Sequence, residues 1–192
     1  MSATGSEAVR LANQVSASAL ESNLSVKDVS LNISLASDLS VKSQQMLWDI
    51  FEQNMYHLYV DSSFGWSPHE KKAELFHPLS RFVILYPEDN SEAIAGYTMF
   101  RFEYEDGFDL LYCYELQIQR SYQMRGLGRL LMEILSCIGE KWQMQKIMLT
   151  VFKANKSASQ FYQNLGFVID PDSPEDDEED YEILSKSISK RA

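Results

Sequence analysis

Residues 123–128 read Gln-Met-Arg-Gly-Leu-Gly and stand between an apolar strand-like run, YCYELQIQ, and a helix-like run, RLLMEILSCIGEKW. Glycine costs a helix roughly 0.5–1 kcal/mol relative to alanine, so two glycines where a helix begins need a reason. The first amides of a helix have no partner within it, and the helix dipole adds positive potential, so this segment suits an anion. Arg125 and Arg129 strengthen that preference. Two common phosphate motifs are excluded. There is no G-x-x-x-x-G-K-[ST] run, and the dinucleotide pattern G-x-G-x-x-G fails at its third glycine, where the chain has Leu131. Close packing of the helix on the strand is the other use for such glycines, and this segment alone leaves it open.

A second segment, N-K-S-A-S-Q-F-Y-Q-N-L-G-F at 155–167, follows at an interval that fits one helix and one strand. Together the two ordered motifs resemble the pyrophosphate-binding and following motifs of the GNAT acetyltransferase superfamily. That resemblance implies the GNAT fold and acetyl-coenzyme A as ligand. It places the pyrophosphate on the backbone amides of Arg125, Gly126, Leu127, Gly128, Arg129 and Leu130, with Gln123 opening the motif. Gln117, Ile118 and Gln119 would pair with the pantetheine arm as an added strand, and Thr150 and Asn155 would lie along it.

Four further stretches, LLYCYELQ (110–117), LTVFKAN (149–155), YVDSSFGW (59–66) and YEILS (181–185), resemble the NatD-type N-terminal acetyltransferases. The similarity spans roughly residues 40–190. It implies an enzyme that acetylates the free N-terminal amine of histones whose tails begin Ser-Gly-Arg-Gly, and so a basic tail as partner, with residence in cytoplasm and nucleus as a monomer. Glu115, beside Tyr114, is then the expected general base, acting through a water, and Tyr162 the group that protonates the departing thiolate. Backbone N–H groups near Leu116 and Gln117 would polarise the thioester carbonyl. Glu103 and Glu105, flanking Tyr104 two residues apart, share one face of a strand and would grip the Arg of the tail. Tyr59, Trp66, Tyr112, Tyr114 and Tyr181 would wall a slot for its small first residues, although several of these tyrosines, Tyr112 first, also suit plain packing on the sheet. This chain has Phe64 where the family tends to have Trp, and Glu103 where it often has Asp. The alternatives are a GNAT enzyme acting on lysine side chains or small amines, and a coenzyme-A-binding module without turnover.

The elements that must position these residues follow from periodicity. Residues 1–39 form an extension: a helix with apolar Ala8, Leu11, Ala12, Val15, Ala19 and Leu20, then the alternating strand DVSLNISLA. Residues 40–192 are assigned to the acetyltransferase domain. SVKSQQMLWDIFEQNMYHLY has helical spacing, VDSSFGWSPHEKKAELFHP is expected to be a loop with a short helical piece, and three strands with hairpin-length connections follow. A helix from Leu127, the strand KIMLTVF, a helix ending at Gly166 and the strand YEILSKSI complete an α/β chain around a mixed central sheet.

Composition narrows the classes. At 192 residues, 45% hydrophobic, the length suits one domain of about 150 residues plus extensions. The net charge of −11 is mostly local, since the acidic loop 170–182 holds nine carboxylates and the rest of the chain carries 19 acids against 17 bases. That balance argues against direct nucleic-acid binding, which needs a basic footprint. The loop reads as a solvated segment, or as a rim that attracts a basic partner. No apolar run approaches the roughly 18 residues of a membrane span. Cys113 and Cys137 sit in apolar patterns and read as core thiols in a reducing compartment. His57, His69 and His77 lack ligand spacing, so no metal is expected.

Overall fold

The alternating run VSLNISL and the unbroken apolar run RFVILYP lie side by side: β1 (Val29–Leu35) pairs antiparallel with β2 (Arg81–Pro87) in full register. β1 is an edge strand with only Val29 and Ile33 buried, whereas β2 is buried on both faces, as its lack of alternation requires. The computed structural model describes residues 6–20, 29–175 and 179–188. Its remaining elements are α1 (Glu7–Ala12), α2 (Ala17–Leu20), α3 (Val41–Val60), α4 (Pro68–Leu75), β3 (Gly96–Glu105), β4 (Phe108–Ile118), α5 (Leu127–Lys141), β5 (Lys146–Phe152), α6 (Lys156–Asn164), β6 (Val168–Ile169) and β7 (Tyr181–Ser187). Among the described residues the strands form one mixed sheet of seven, ordered β1-β2-β3-β4-β5-β7-β6. Among the described residues only β4 and β5 run parallel. One core lies between the sheet and α1, α5 and α6, the other between the sheet and α3 and α4. No helix among the described residues is long and apolar enough to cross a membrane.

Three local expectations need correction. The N-terminal helix is two short helices, because Asn13 caps α1 and turns its side chain to donate to the Phe102 carbonyl at 3.0 Å; residues 21–28 lie outside the described set. YEILSKSI is not the outer strand. The two-residue β6, too short to show any periodicity, pairs outside it at Val168↔Ser185 and Ile169↔Leu184. The acidic loop is partly anchored: Asp170 is buried against Lys146 at 2.9 Å, and Asp180 accepts from Ser63 N–H at 2.6 Å, while residues 176–178 lie outside the described residues.

Two irregularities in β4 shape everything that follows. Met99 pairs with Glu115 and Phe100 with Cys113, so Tyr114 is an extra residue, a β-bulge. The pairing of β4 with β5 runs only from Leu110↔Lys146 to Cys113↔Leu149, and beyond it the two strands part.

Candidate active site

A period of two would put Tyr114 and Glu115 on opposite faces of β4. The bulge cancels that alternation. Leu111 and Cys113 before it, and Leu116 and Ile118 after it, all face the α5 core, while Tyr114, Glu115 and Gln117 turn together toward α3 and α4. Where β4 and β5 separate, a cavity of about 260 Å³ passes through the sheet. Tyr59, Lys71, Tyr114 and Glu115 line it from the side of α3 and α4, and Leu116, Ala158 and Tyr162 from the side of α5 and α6, with Tyr112 and Asn155 also in the lining. Two reactants can therefore approach from opposite faces and meet in the gap.

Glu115 is buried with both oxygens engaged. Oε1 lies 2.7 Å from Lys71 Nζ, and Oε2 accepts from Gln117 Nε2 at 2.8 Å. Gln117 is held in turn by Asn54, whose Nδ2 donates to Gln117 Oε1 at 3.1 Å. Lys71 also pairs with Glu74. Burial by itself lowers the Lys71 pKa, but Glu115, then Tyr59 and Glu74, outweigh it and raise it above the ordinary lysine value, so the ammonium persists. Sequence reasoning missed Lys71, which lay within a stretch expected to be mostly loop. One signal was present: Lys71 stands four residues before the buried Leu75, on the inward face of α4.

The other expected residues divide. Tyr112, Tyr114 and Tyr59 do line the cavity. Burial pushes Tyr112 up to about 12, against the opposing hydrogen bond to Thr150 Oγ1 at 2.6 Å. Burial and then Glu103 raise Tyr114, whose hydroxyl donates to Glu103 Oε1 at 2.7 Å. Tyr59 is raised by burial first and the Glu115 charge second. Tyr162 is raised well above the phenol value, chiefly by burial, and its hydroxyl has no hydrogen bond among the described residues. Tyr104 points away from this face, because adjacent residues of a strand alternate, and it is 48% exposed. Trp66 does not line the cavity; it packs among Trp48, Phe51, Tyr56 and Tyr59, and Phe64 lines the cavity instead. Tyr181 backs Phe64, with ring centroids 5.2 Å apart.

The anion segment is also built by several elements. Gly126 caps α5 at φ +81°, a conformation that L side chains rarely adopt, and its cap makes no side-chain hydrogen bond. Gly128 has a different reason: a Cβ there would meet Phe161 Cζ of α6 at 3.2 Å. Gly128 thus serves close packing, against α6 more tightly than against the strand, while Gly126 is required by its left-handed backbone. Among the described residues the N–H groups of residues 125–129 have no partner. Leu130 does, since its N–H bonds to the Gly126 carbonyl at 3.1 Å as the first turn closes, which removes it from the donor set. Arg125 and Arg129 are exposed beside this loop. Gln119 is likewise engaged: its N–H bonds to Ala95 O at 3.0 Å and its carbonyl accepts from Tyr122 N–H at 2.8 Å. Strand alternation then points the N–H groups of Leu116 and Ile118, not those of Gln117 and Gln119, into the gap. Gln123 Nε2 donates to the Ile118 carbonyl at 3.1 Å and so ties the loop to β4. Asn155 caps α6, accepting from Ala158 N–H at 3.2 Å, and Thr150 and Asn155 both line the gap. No group of three or more His, Cys, Asp or Glu among the described residues could hold a metal.

The profile of the acetyltransferase (GNAT) family matches residues 46–167. Among solved structures, Tetrahymena GCN5 superposes with a TM-score of 0.65 at 14% identity, covering 85% of this chain and 98% of its own. The ribosomal-protein-S18-alanine N-acetyltransferase from Escherichia coli gives 0.55 at 22% identity, covering 85% and 97%. The PaiA N-acetyltransferase from Thermoplasma acidophilum, solved with coenzyme A, gives 0.59 at 14% identity, covering 82% and 99%.

Proposed function

The chain belongs to the GNAT acetyltransferase family, and from that premise we propose that it transfers acetyl from acetyl-coenzyme A to the free α-amine of a protein N-terminus, with histone tails beginning Ser-Gly-Arg-Gly as the acceptor. One observation carries this reading: a small tyrosine-walled cavity over Glu115 opens on the face that also holds the acids Glu103 and Glu105. At about 260 Å³ it falls just below the usual range of roughly 300–1,000 Å³ for ligand pockets, which suits one or two small residues. The next side chain then emerges toward Glu103 and Glu105, where a guanidinium finds charge-assisted partners. The Escherichia coli neighbour is named for an alanine of a ribosomal protein, so a protein acceptor is chemistry this fold accommodates. Residence in cytoplasm and nucleus as a monomer belongs to the same proposal.

The donor residues fit a coenzyme A. Unpartnered amides at 125–129 suit a pyrophosphate, the outward N–H groups of Leu116 and Ile118 suit an extended amide arm, and Thr150 and Asn155 flank it. The bound cosubstrate supplies an activated thioester. Glu115 takes the proton of the α-amine, directly or through a water; with a pKa of about 8, that amine needs little help. Leu116 N–H donates to the developing oxyanion. Tyr162, kept neutral by burial, donates a hydrogen bond toward the leaving sulfur.

Gly126→Ala forces a Cβ into a left-handed conformation that costs about 1–2 kcal/mol. Isothermal titration should show coenzyme A binding weakened by up to about tenfold, the equivalent of 1.4 kcal/mol. An unchanged affinity would separate that loop from the cofactor. The acceptor is tested by thiol release with the peptide Ser-Gly-Arg-Gly-Lys beside its α-acetylated twin. Turnover with the free terminus alone supports the proposal, whereas equal turnover with both identifies lysine as the acceptor and overturns it. No turnover with either, alongside coenzyme A binding, overturns the peptide acceptor and favours a binding module, with small amines as the remaining acceptors to assay.

A further inference from the structure

Resting on the reading of Glu115 as the base, we propose that Lys71 is the positioning residue that fixes its carboxylate and sets the pH range in which it works. The side chains of Lys71 and Glu115 are 10% and 4% exposed, so their 2.7 Å contact is shielded from solvent screening. The ammonium also lies 5.2 Å from the Phe51 ring centroid and 5.3 Å from that of Tyr59. With Gln117 on the second oxygen and Asn54 behind Gln117, the carboxylate is held from α3, α4 and its own strand. Lys71 cannot itself be an acceptor here, because acetyl transfer needs a neutral amine and its neighbours keep it charged.

The consequence is electrostatic. A carboxylate that takes a proton beside an ammonium loses that attraction, and Lys71, 2.7 Å from Glu115, is the cation that supplies it. The titratable groups close enough to feel the Glu115 charge or to share its ion pair are Lys71 and Glu74 from α4, Tyr59 from α3, Tyr97 from β3, and, through the sheet, Cys113 from β4 and Tyr162 from α6. Lys71 is the single cation among them.

The test is the pH profile of kcat, which reports groups in the enzyme–substrate complex. It is measured by thiol release with the free Ser-Gly-Arg-Gly-Lys peptide, with coenzyme A binding as the check of folding. Lys71→Met and Lys71→Gln should each move the acid limb up by about 1–3 pH units, the span that one close opposite charge produces. Lys71→Arg, which keeps the charge, should hold the limb in place. In a Glu115→Gln background, Lys71→Met should cost nothing further, since it acts through the missing base. Should the neutral variants not fold, Glu74→Gln probes the same pair from the other side: it removes a negative charge that shares Lys71, and the limb should move down. An unmoved limb in folded neutral variants, or in Glu74→Gln, overturns the proposal even if kcat falls, because lost packing alone would do that. Two failures remain distinct. A disabled Glu115→Gln beside unmoved Lys71 limbs sinks only the role of Lys71, while full turnover in Glu115→Gln sinks the base and Lys71 with it.

Discussion

Glu115→Gln is expected to lower turnover by about 10²–10⁴ while leaving coenzyme A affinity unchanged. The substitution keeps the shape of the side chain beside Gln117 and Lys71, and removes its negative charge, with it the ion pair to Lys71, and its ability to accept a proton. The unpartnered amides at 125–129 and the outward amides of β4, the groups proposed to hold the cofactor, are untouched, so its binding has no reason to change. Single-turnover acetyl transfer, with binding measured in parallel, separates the two quantities. Full activity in the variant would mean that the amine loses its proton to solvent unaided, which its pKa of about 8 does not forbid. A drop in turnover that came with an equal loss of coenzyme A affinity would point instead to a collapsed cavity.

Arg81→Met should cost stability on the order of 3 kcal/mol. Arg81 begins β2, is 2% exposed, and donates to the Leu79 carbonyl at 2.7 Å, the Ala12 carbonyl at 3.3 Å and the Asn13 carbonyl at 3.1 Å. Its guanidinium lies 5.3 Å from the Phe102 ring centroid. Burial lowers its pKa to about 10, still charged at neutral pH. Methionine preserves much of the volume but leaves three carbonyls without their donor, and hydrogen bonds to a charged group contribute about 1.5–3 kcal/mol each. Relief of the buried charge offsets part of the loss. For a chain of this size each kcal/mol moves Tm by about 2–4 °C, so the melt should fall by roughly 6–12 °C. Because two of the three bonds reach the end of α1, deleting residues 1–20 should reproduce much of the same loss, and the combination should be less than additive. A melt within a degree of the parent would show that the N-terminal extension is held by its apolar residues Val9, Ala12 and Leu20 alone.

Much of this molecule was legible in order along the chain, because its strongest constraints are local. Two glycines ahead of an amphipathic run, the alternation of β1 and the unbroken apolar run of β2 each act within a few residues, and they were enough to assign the α/β sheet and to place a helix entry at the glycine loop. What the tertiary structure decided is which side chains meet. One unpaired residue, Tyr114, reverses the parity of β4 and brings Tyr114 and Glu115 to the same cavity, an outcome that no period of two can express. Lys71 reaches Glu115 across 44 positions of chain because the folded chain sets α4 beside β4. Backbone conformation is set largely by neighbours in sequence, whereas the pairing of charges is set by strand register and helix packing, which only the folded chain possesses.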